Sequence, residues 1–328
     1  MRDNTPMIDG IFEIPGNLFI AEKNRMGHSY RSEAYLLREF SRFASNHSEY
    51  AYNDTFITKG MVEAWLQSKS GKASKSVHSC AVVVRQFAAF LVRNGKSAYV
   101  LPIGYLPKVS SGFALHIFSE EQLSRIFSAA DKLKPTGVSP YRHLIIPLIL
   151  RLIYGCGLRV SEATRLKIED VNLDEGILTI RNSKFGKSRS IPMAESLRLR
   201  CVEYFRIVHK QPEPGDIFFP NTWRTEYLPQ AISGNFRSLL RECGIPRTDY
   251  GPRLHDLRHS HAVHTLKRWS ESGEDMNTLL PLLSSYLGHN GLSGTQQYLR
   301  LTADLYPHII SKVESAFGDV FPKEGRAL

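Results

Sequence analysis

Cysteine is scarce in this 328-residue chain, and its four copies, Cys80, Cys156, Cys201 and Cys243, stand far apart. With no C-x-x-C pair, zinc ribbons and redox dithiols lose their ligand pattern, and a reducing cytoplasm is the expected compartment. H-E-x-x-H is also missing, and with it the usual sign of a helix-borne zinc hydrolase. Long apolar runs are lacking. Leu144 to Tyr154 comes nearest, but Pro147 and Arg151 interrupt it and it is too short to span a bilayer. Met1 to Gly10 has no basic region followed by an apolar one, so no signal peptide is expected. Internal repeats and low-complexity tracts are absent, and so is the composition of a disordered chain, since 42% of residues are hydrophobic and 23% charged. Acid is in deficit: 32 Asp and Glu face 42 Lys and Arg, a net charge of +10. A surplus of that size favours a polyanionic partner, because fixed cations displace the counterions condensed on nucleic acid.

The length suits two domains. Apolar residues recur at helical spacing over Ser29–Ser48, Ile57–Lys69 and Ser76–Arg93, so the first third reads as helices. Between the last two lies a small, polar, basic loop holding Lys69, Lys72 and Lys75, either a phosphate-contacting element or a solvated connector. Pro102, Pro107, Ser110, Ser111 and Gly112 break the periodicity, which places a linker at 107–118. Ser119-Glu120-Glu121-Gln122 is a capping-box pattern that opens a new helix. Tyr141–Tyr154 reads as an apolar helix ending at Gly155 and Gly157. Gly176–Ile180 and Arg189–Pro192 read as a hairpin around a basic turn with Lys184 and Lys187. Further helices are expected at about Glu195–His209, Pro229–Cys243, His255–Ser270, Asn277–Leu287 and Asp304–Phe317.

The chemistry-bearing residues fall in short local patterns. Arg159 follows a glycine break and opens a helix, where free N–H groups already favour an anion, and Glu162 three residues on is placed to hold its guanidinium. An ordinary surface Arg–Glu pair would have the same spacing. His255 and Arg258, at i and i+3, share one helical face. His255 and His259 also have the spacing of two metal ligands, but Asp-Leu-Arg lies between them, and a guanidinium inside a dication site is electrostatically poor; no metal is expected. Leu287-Gly288-His289 follows, then Tyr298 nine residues later. Tyr298 is one of 14 tyrosines, and Tyr286 and Tyr306 are its nearest competitors. Its place after Gly291 and Gly294 suggests a residue less locked in a core than Tyr154 or Tyr204. Arginine forks match the non-bridging oxygens of a phosphate, and a tyrosine oxygen can carry a phosphoryl group covalently. Lys184 on a flexible turn is able to reach a closed site and deliver a proton, although a solvated turn lysine is the default.

Taken together, Arg159 in G-L-R-V-S-E, His255-x-x-Arg258-His259, Leu287-Gly288-His289 and Tyr298 resemble the tyrosine recombinase (phage integrase) family from about Ser119 to the end. The N-terminal helices fit the family's DNA-clasping domain more loosely. The resemblance implies a mainly α fold with a small antiparallel β-sheet, organised as a two-domain DNA clamp: an N-terminal helical DNA-binding domain (1–106) and a catalytic domain (119–328) with a C-terminal tail helix. It implies cutting and rejoining of DNA at specific sites through a 3′-phosphotyrosine, without metal, ATP or other cofactor. Arg159 and Arg258 then resemble the pair that grips the scissile phosphate, and Glu162 the acidic support of the first. Lys184 resembles the proton donor to the leaving 5′ oxygen, His255 an aid to proton transfer, His289 a hydrogen-bond donor to a non-bridging oxygen, and Tyr298 the nucleophile. Lys69, Lys72, Lys75 and Lys187 are expected to touch DNA. The family precedent also implies a homotetramer on two DNA sites, alone or with other recombinases, working at the nucleoid in the cytoplasm. The tail with Leu301, Leu305, Ile309, Ile310 and Val313 would dock on a neighbouring protomer or pack on its own domain. The stretch between Arg258 and His289 is longer than usual for the family; the extra length falls in Trp269–Asp275 and, with Leu279–Leu283, resembles transposon-borne members. Competing functions are a type IB topoisomerase-like relaxing enzyme, a catalytically silent DNA-binding relative, and a metal hydrolase.

Overall fold

The computed structural model describes residues 5–47, 49, 57–71, 74–106, 115–181, 188–246, 248, 251–289, 295, 297–299, 301 and 302. The chain separates into two compact units, residues 1–111 and 112–328.

The first unit consists of α1 (Glu13–Arg25), α2 (Arg31–Ser45), α3 (Lys59–Ser68) and α4 (Ser74–Arg93). Its core is aromatic. Phe12 stacks on Phe40 at 5.4 Å, Phe40 meets Trp65 at 4.9 Å, and Phe19 and Phe87 close the cluster. Thr58 caps α3 by accepting the Met61 N–H at 3.1 Å, which satisfies one of the free donors at that end. Helix α4 is the one described helix long and apolar enough to cross a membrane by length and composition. Its apolar face, from Cys80 to Leu91, is instead buried inside this unit.

The second unit is mainly helical and carries one small sheet. Ser119 and Gln122 form the expected capping box at the start of α5 (Glu120–Asp131). Helix α6 (Arg142–Gly155) is buried from Ile145 to Leu150 without a break and again at Leu152 and Ile153. A helix apolar all round belongs in the middle of a domain, and α5, α8 (Glu195–Val208) and α10 (Asp256–Glu271) surround it. Short α7 (Val160–Thr164) follows α6. Strands β1 (Val171–Asn172), β2 (Ile177–Ile180) and β3 (Arg189–Pro192) form an antiparallel sheet in sequence order, with Leu178 opposite Ile191 and Ile180 opposite Arg189. Helices α9 (Pro229–Glu242) and α11 (Met276–Leu287) complete the unit. Ala262, Leu266, Leu280, Leu283 and Leu287 make a separate apolar cluster between α10 and α11 that also takes in Tyr298 and Leu299.

Three sequence expectations change. Residues 107–114 of the expected linker lie outside the described residues, but Phe118 at its end is fully buried. Phe118 packs edge-on against Phe236, and its N–H donates to Ser260 Oγ at 2.8 Å, because an aromatic ring gains more from the core than a connector gains from water. Trp269–Glu271 remain helical in α10, and Leu279–Leu283 lie inside α11, so this stretch is mostly helix with only a short turn between the two. Helix α1 and strand β1 have no counterpart in the sequence expectations. The expected tail helix lies outside the described residues.

Truncating Phe118 to Ala should destabilise the second unit by about 3–5 kcal/mol, the range for a buried phenylalanine. Denaturant unfolding followed by a probe in that unit checks this; a change below about 1 kcal/mol would return Phe118 to a linker role.

Candidate active site

The site is built on two glycine turns. After α6 the chain must reverse to enter α7, and Gly157 does so at φ +59°. A Cβ there would stand 2.9 Å from both His261 and Leu287, so no other residue fits. The Gly157 carbonyl accepts from Arg258 Nη1 at 2.7 Å. Gly288 ends α11 as a left-handed cap at φ +67°, and a Cβ there would stand 2.9 Å from Arg189 Nη1. Its carbonyl accepts from Arg159 Nη2 at 2.9 Å. The two turns therefore aim backbone oxygens at two guanidiniums from different parts of the chain.

Arg258 is 1% exposed. Its Nη2 donates to the Leu287 carbonyl at 2.6 Å and lies 3.2 Å from His289 Nε2. Arginine only donates, so His289 must accept through Nε2, and its Nδ1–H then donates to Thr295 Oγ1 at 2.8 Å. Burial, then the positive charge of Arg258 and Arg159, pushes His289 down to about 4 and keeps it neutral. Burial and Arg159 push Arg258 down to about 10, still cationic at neutral pH.

Glu162 balances the cluster. Its Oε1 accepts from Arg159 Nη1 at 2.7 Å and Arg189 Nη1 at 3.1 Å. Its Oε2 accepts the Arg159 backbone N–H at 2.9 Å and Arg189 Nη2 at 2.8 Å, and Arg258 Nη1 lies 4.0 Å away. Three guanidiniums thus converge on one buried carboxylate, which leaves positive charge in surplus and suits an incoming anion.

The Tyr298 hydroxyl lies 2.8 Å from His259 Nδ1, and its ring stacks on His289 with centroids 6.0 Å apart. Burial raises the Tyr298 pKa, and Arg258 opposes the rise. Burial first, then His255 and Arg258, lowers His259 to about 3, so its imidazole is neutral, and in the tautomer that carries the proton on Nε2 its Nδ1 accepts from the phenol. His255, at the start of α10, stands edge-on to His259 at 4.6 Å and keeps an exposed edge.

Against known families, a model described as "Phage integrase family" matches residues 116–304, more than half of the chain. The Sinorhizobium fredii protein y4rB, an integrase/recombinase by name, is 31% identical over 314 residues, covering 92% of this chain and 96% of the relative. The chain belongs to the phage integrase family. It is a site-specific tyrosine recombinase, and the topoisomerase-like alternative is not favoured. Tyrosine recombinase XerA of Pyrococcus furiosus is 37% identical over 52% of the chain and 54% of its own length. Among solved structures, the Tn1549 transposon integrase shares the fold at a TM-score of 0.61 and 14% identity, over 87% of this chain and 94% of that one. The XerH recombinase does so at 0.60 and 19% identity, over 90% and 86%.

Of the residues singled out from sequence, the recombinase gathers Arg159, Glu162, His255, Arg258, His289 and Tyr298 into this one cluster. Lys72, Lys184 and Lys187 lie outside the described residues. Lys69 is engaged by Glu39 at 2.9 Å and lies over the Trp65 ring, whereas Lys75 is exposed in the first turn of α4. Tyr298 departs from expectation. It is 1% exposed, more enclosed than Tyr204 at 3%, because α10 and α11 close around its ring. Arg189 was missed: its Nε donates to the Tyr286 carbonyl at 2.7 Å and its other nitrogens hold Glu162. An arginine in a strand beside a basic turn has no spacing that ties it to Glu162. Thr295 was missed for the same reason.

Arg189→Ala should leave Glu162 with fewer donors and let Arg159 shift. DNA cleavage should fall by about 10-fold to 10²-fold, within the range for loss of a preorganised charge contact, while DNA affinity changes little; equal loss in both would make Arg189 a simple DNA anchor. His259, His261 and His289 all titrate below their unfolded value of 6.5. The unfolded chain therefore takes up protons first, and the stability these groups contribute should be lost as pH falls from about 6.5 toward about 3, the lowest of their folded values, and level off below it. Denaturant midpoints across that window check the sign; a flat profile would place these imidazoles in water.

Proposed function

We propose that Tyr298 is the nucleophile that cuts one DNA strand and holds its 3′ end as a phosphotyrosine. The observation that carries this is the convergence of its hydroxyl with Arg258, His289 and the Arg159–Glu162 pair in one buried, positively charged cluster. Arg159 and Arg258 bind the non-bridging oxygens of the scissile phosphate, and His289 donates a third hydrogen bond once Nε2 carries a proton. In-line attack builds negative charge on those oxygens, and preoriented cations stabilise the transition state more than the substrate. Glu162 holds Arg159 in place. His255 assists proton movement beside the phosphate, and Lys184 protonates the leaving 5′ oxygen, a role carried by its match to the family's hairpin lysine. Because the phosphotyrosine conserves the bond, a 5′ hydroxyl from a second duplex can rejoin the strand without ATP. Lys69, Lys72, Lys75 and Lys187 contribute to DNA contact.

We further propose a homotetramer on two DNA sites, acting at the nucleoid in the cytoplasm. The net charge of +10 supports a polyanionic partner. The XerH neighbour was solved bound to its difH substrate, and the Tn1549 integrase with circular-intermediate DNA.

Trapping the protein on DNA from its own genomic surroundings tests the reading. Tyr298→Phe should bind DNA and form no covalent adduct; an adduct at normal yield would move the nucleophile to another tyrosine. Lys184→Ala should cut an ordinary strand about 10² or more slower and recover on a strand with a 5′-bridging sulfur, a better leaving group. If sulfur brings the variant no recovery, Lys184 is not the acid.

A further inference from the structure

The attacking phenol must lose a proton, and the cluster offers few atoms to take it. Both ring nitrogens of His289 are engaged, Nε2 by Arg258 and Nδ1 by Thr295. Arg258 only donates. His255 meets the hydroxyl through no described hydrogen bond. His259 differs: its Nδ1 lies 2.8 Å from Tyr298 Oη, and with the ring proton on Nε2 it turns an unshared pair toward the phenolic proton. Its ring is buried, at 6% exposure, and is held between Tyr298 and the edge-on ring of His255.

We infer that His259 is a further catalytic residue of the recombinase, the acceptor of the Tyr298 proton in cleavage and its donor in rejoining. The inference rests on Tyr298 being the nucleophile. In cleavage, Tyr298 Oη bonds to phosphorus as the O5′–P bond breaks. The electron pair of that bond leaves on O5′, which takes a proton from the acid assigned to Lys184. The phenolic proton passes to His259 Nδ1, giving an imidazolium. In rejoining, the incoming 5′ hydroxyl attacks phosphorus and gives its proton back to the amine assigned to Lys184, the Tyr298 oxygen leaves, and His259 returns the phenolic proton to it. No electrons are gained or lost by any group.

The groups facing His259 set when it is able to accept. His255 and Arg258 lie on its own helix, Arg253 just before it, His289 after α11, and Tyr298 opposite. The cations and burial hold it neutral, and in the tautomer with the proton on Nε2 its Nδ1 is open to accept. The scissile phosphate then brings negative charge beside it and makes the imidazolium easier to form.

Two measurements decide the matter, both single-turnover cleavage of a nicked duplex carrying the site recovered by covalent trapping. His259→Asn keeps an acceptor oxygen near the position of Nδ1 but cannot hold the proton. It should cut about 10² slower, the lower range for general-base catalysis, with DNA affinity and thermal unfolding unchanged. Cleavage within threefold of the wild type would reduce His259 to positioning and overturn the proposal. The second measurement needs no change at His259, so it stands even if the variant fails to fold. With Tyr298→3,5-difluorotyrosine the phenol is more acidic. If His259 takes the proton, the acidic inflection in the pH–rate profile stays where it is in the wild type. If the proton goes to water, the inflection belongs to the phenol and shifts downward, and the proposal fails. Failure of the nucleophile assignment reads differently, as a covalent adduct that survives Tyr298→Phe.

Discussion

A single buried carboxylate holds the arginine cluster together. Glu162 accepts hydrogen bonds from Arg159 and Arg189 and sits within 4.0 Å of Arg258. Without it, these guanidiniums would repel one another in a pocket where water screens poorly, and burial of Arg258 would be costly. With it, each arginine has a fixed direction and the cluster keeps net positive charge. That combination is what a phosphate in transition demands: cations already oriented, so that little reorganisation occurs during the reaction. Because Glu162 also accepts the Arg159 N–H at the start of α7, the same side chain starts the helix and sets the charge.

The backbone does comparable work. Gly157 and Gly288 take left-handed conformations so that their carbonyls face Arg258 and Arg159. Side chains at either position would collide with His261, Leu287 or Arg189. These glycines explain how residues far apart in the chain share a few ångströms of space. Around them, carbonyl oxygens, His289 and Glu162 satisfy the arginines, and His259 meets Tyr298.

Much of this was legible in the amino-acid order. Helices α2, α3, α4, α8 and α9 follow from apolar periodicity, with boundaries within a few residues, and the hairpin follows from two short β-rich runs around a basic turn. Arg159 with Glu162, and His255 with Arg258, were readable because the residue that opens a helix and the one three positions on lie side by side. Arg189 and Thr295 were not, since their partners lie on other elements and no periodicity links them. Tyr298 misled in one respect. Glycines before it suggested exposure, but local flexibility says nothing about which helices close over a ring. Phe118 misled likewise, because the prolines and serines upstream of it describe the connector and not the core that receives its end.

Local order along the chain determined the helices, the hairpin and the pairs within one turn of each other, because spacing of 3.6 or 2 residues decides which side chains are neighbours. It also determined the surplus of positive charge. Only the tertiary structure decided that Glu162 is shared with Arg189, that His289 takes its tautomer from Arg258 and Thr295, and that the Tyr298 hydroxyl meets His259. Those contacts arise from packing between distant segments, where the outcome depends on how whole helices and turns fit together.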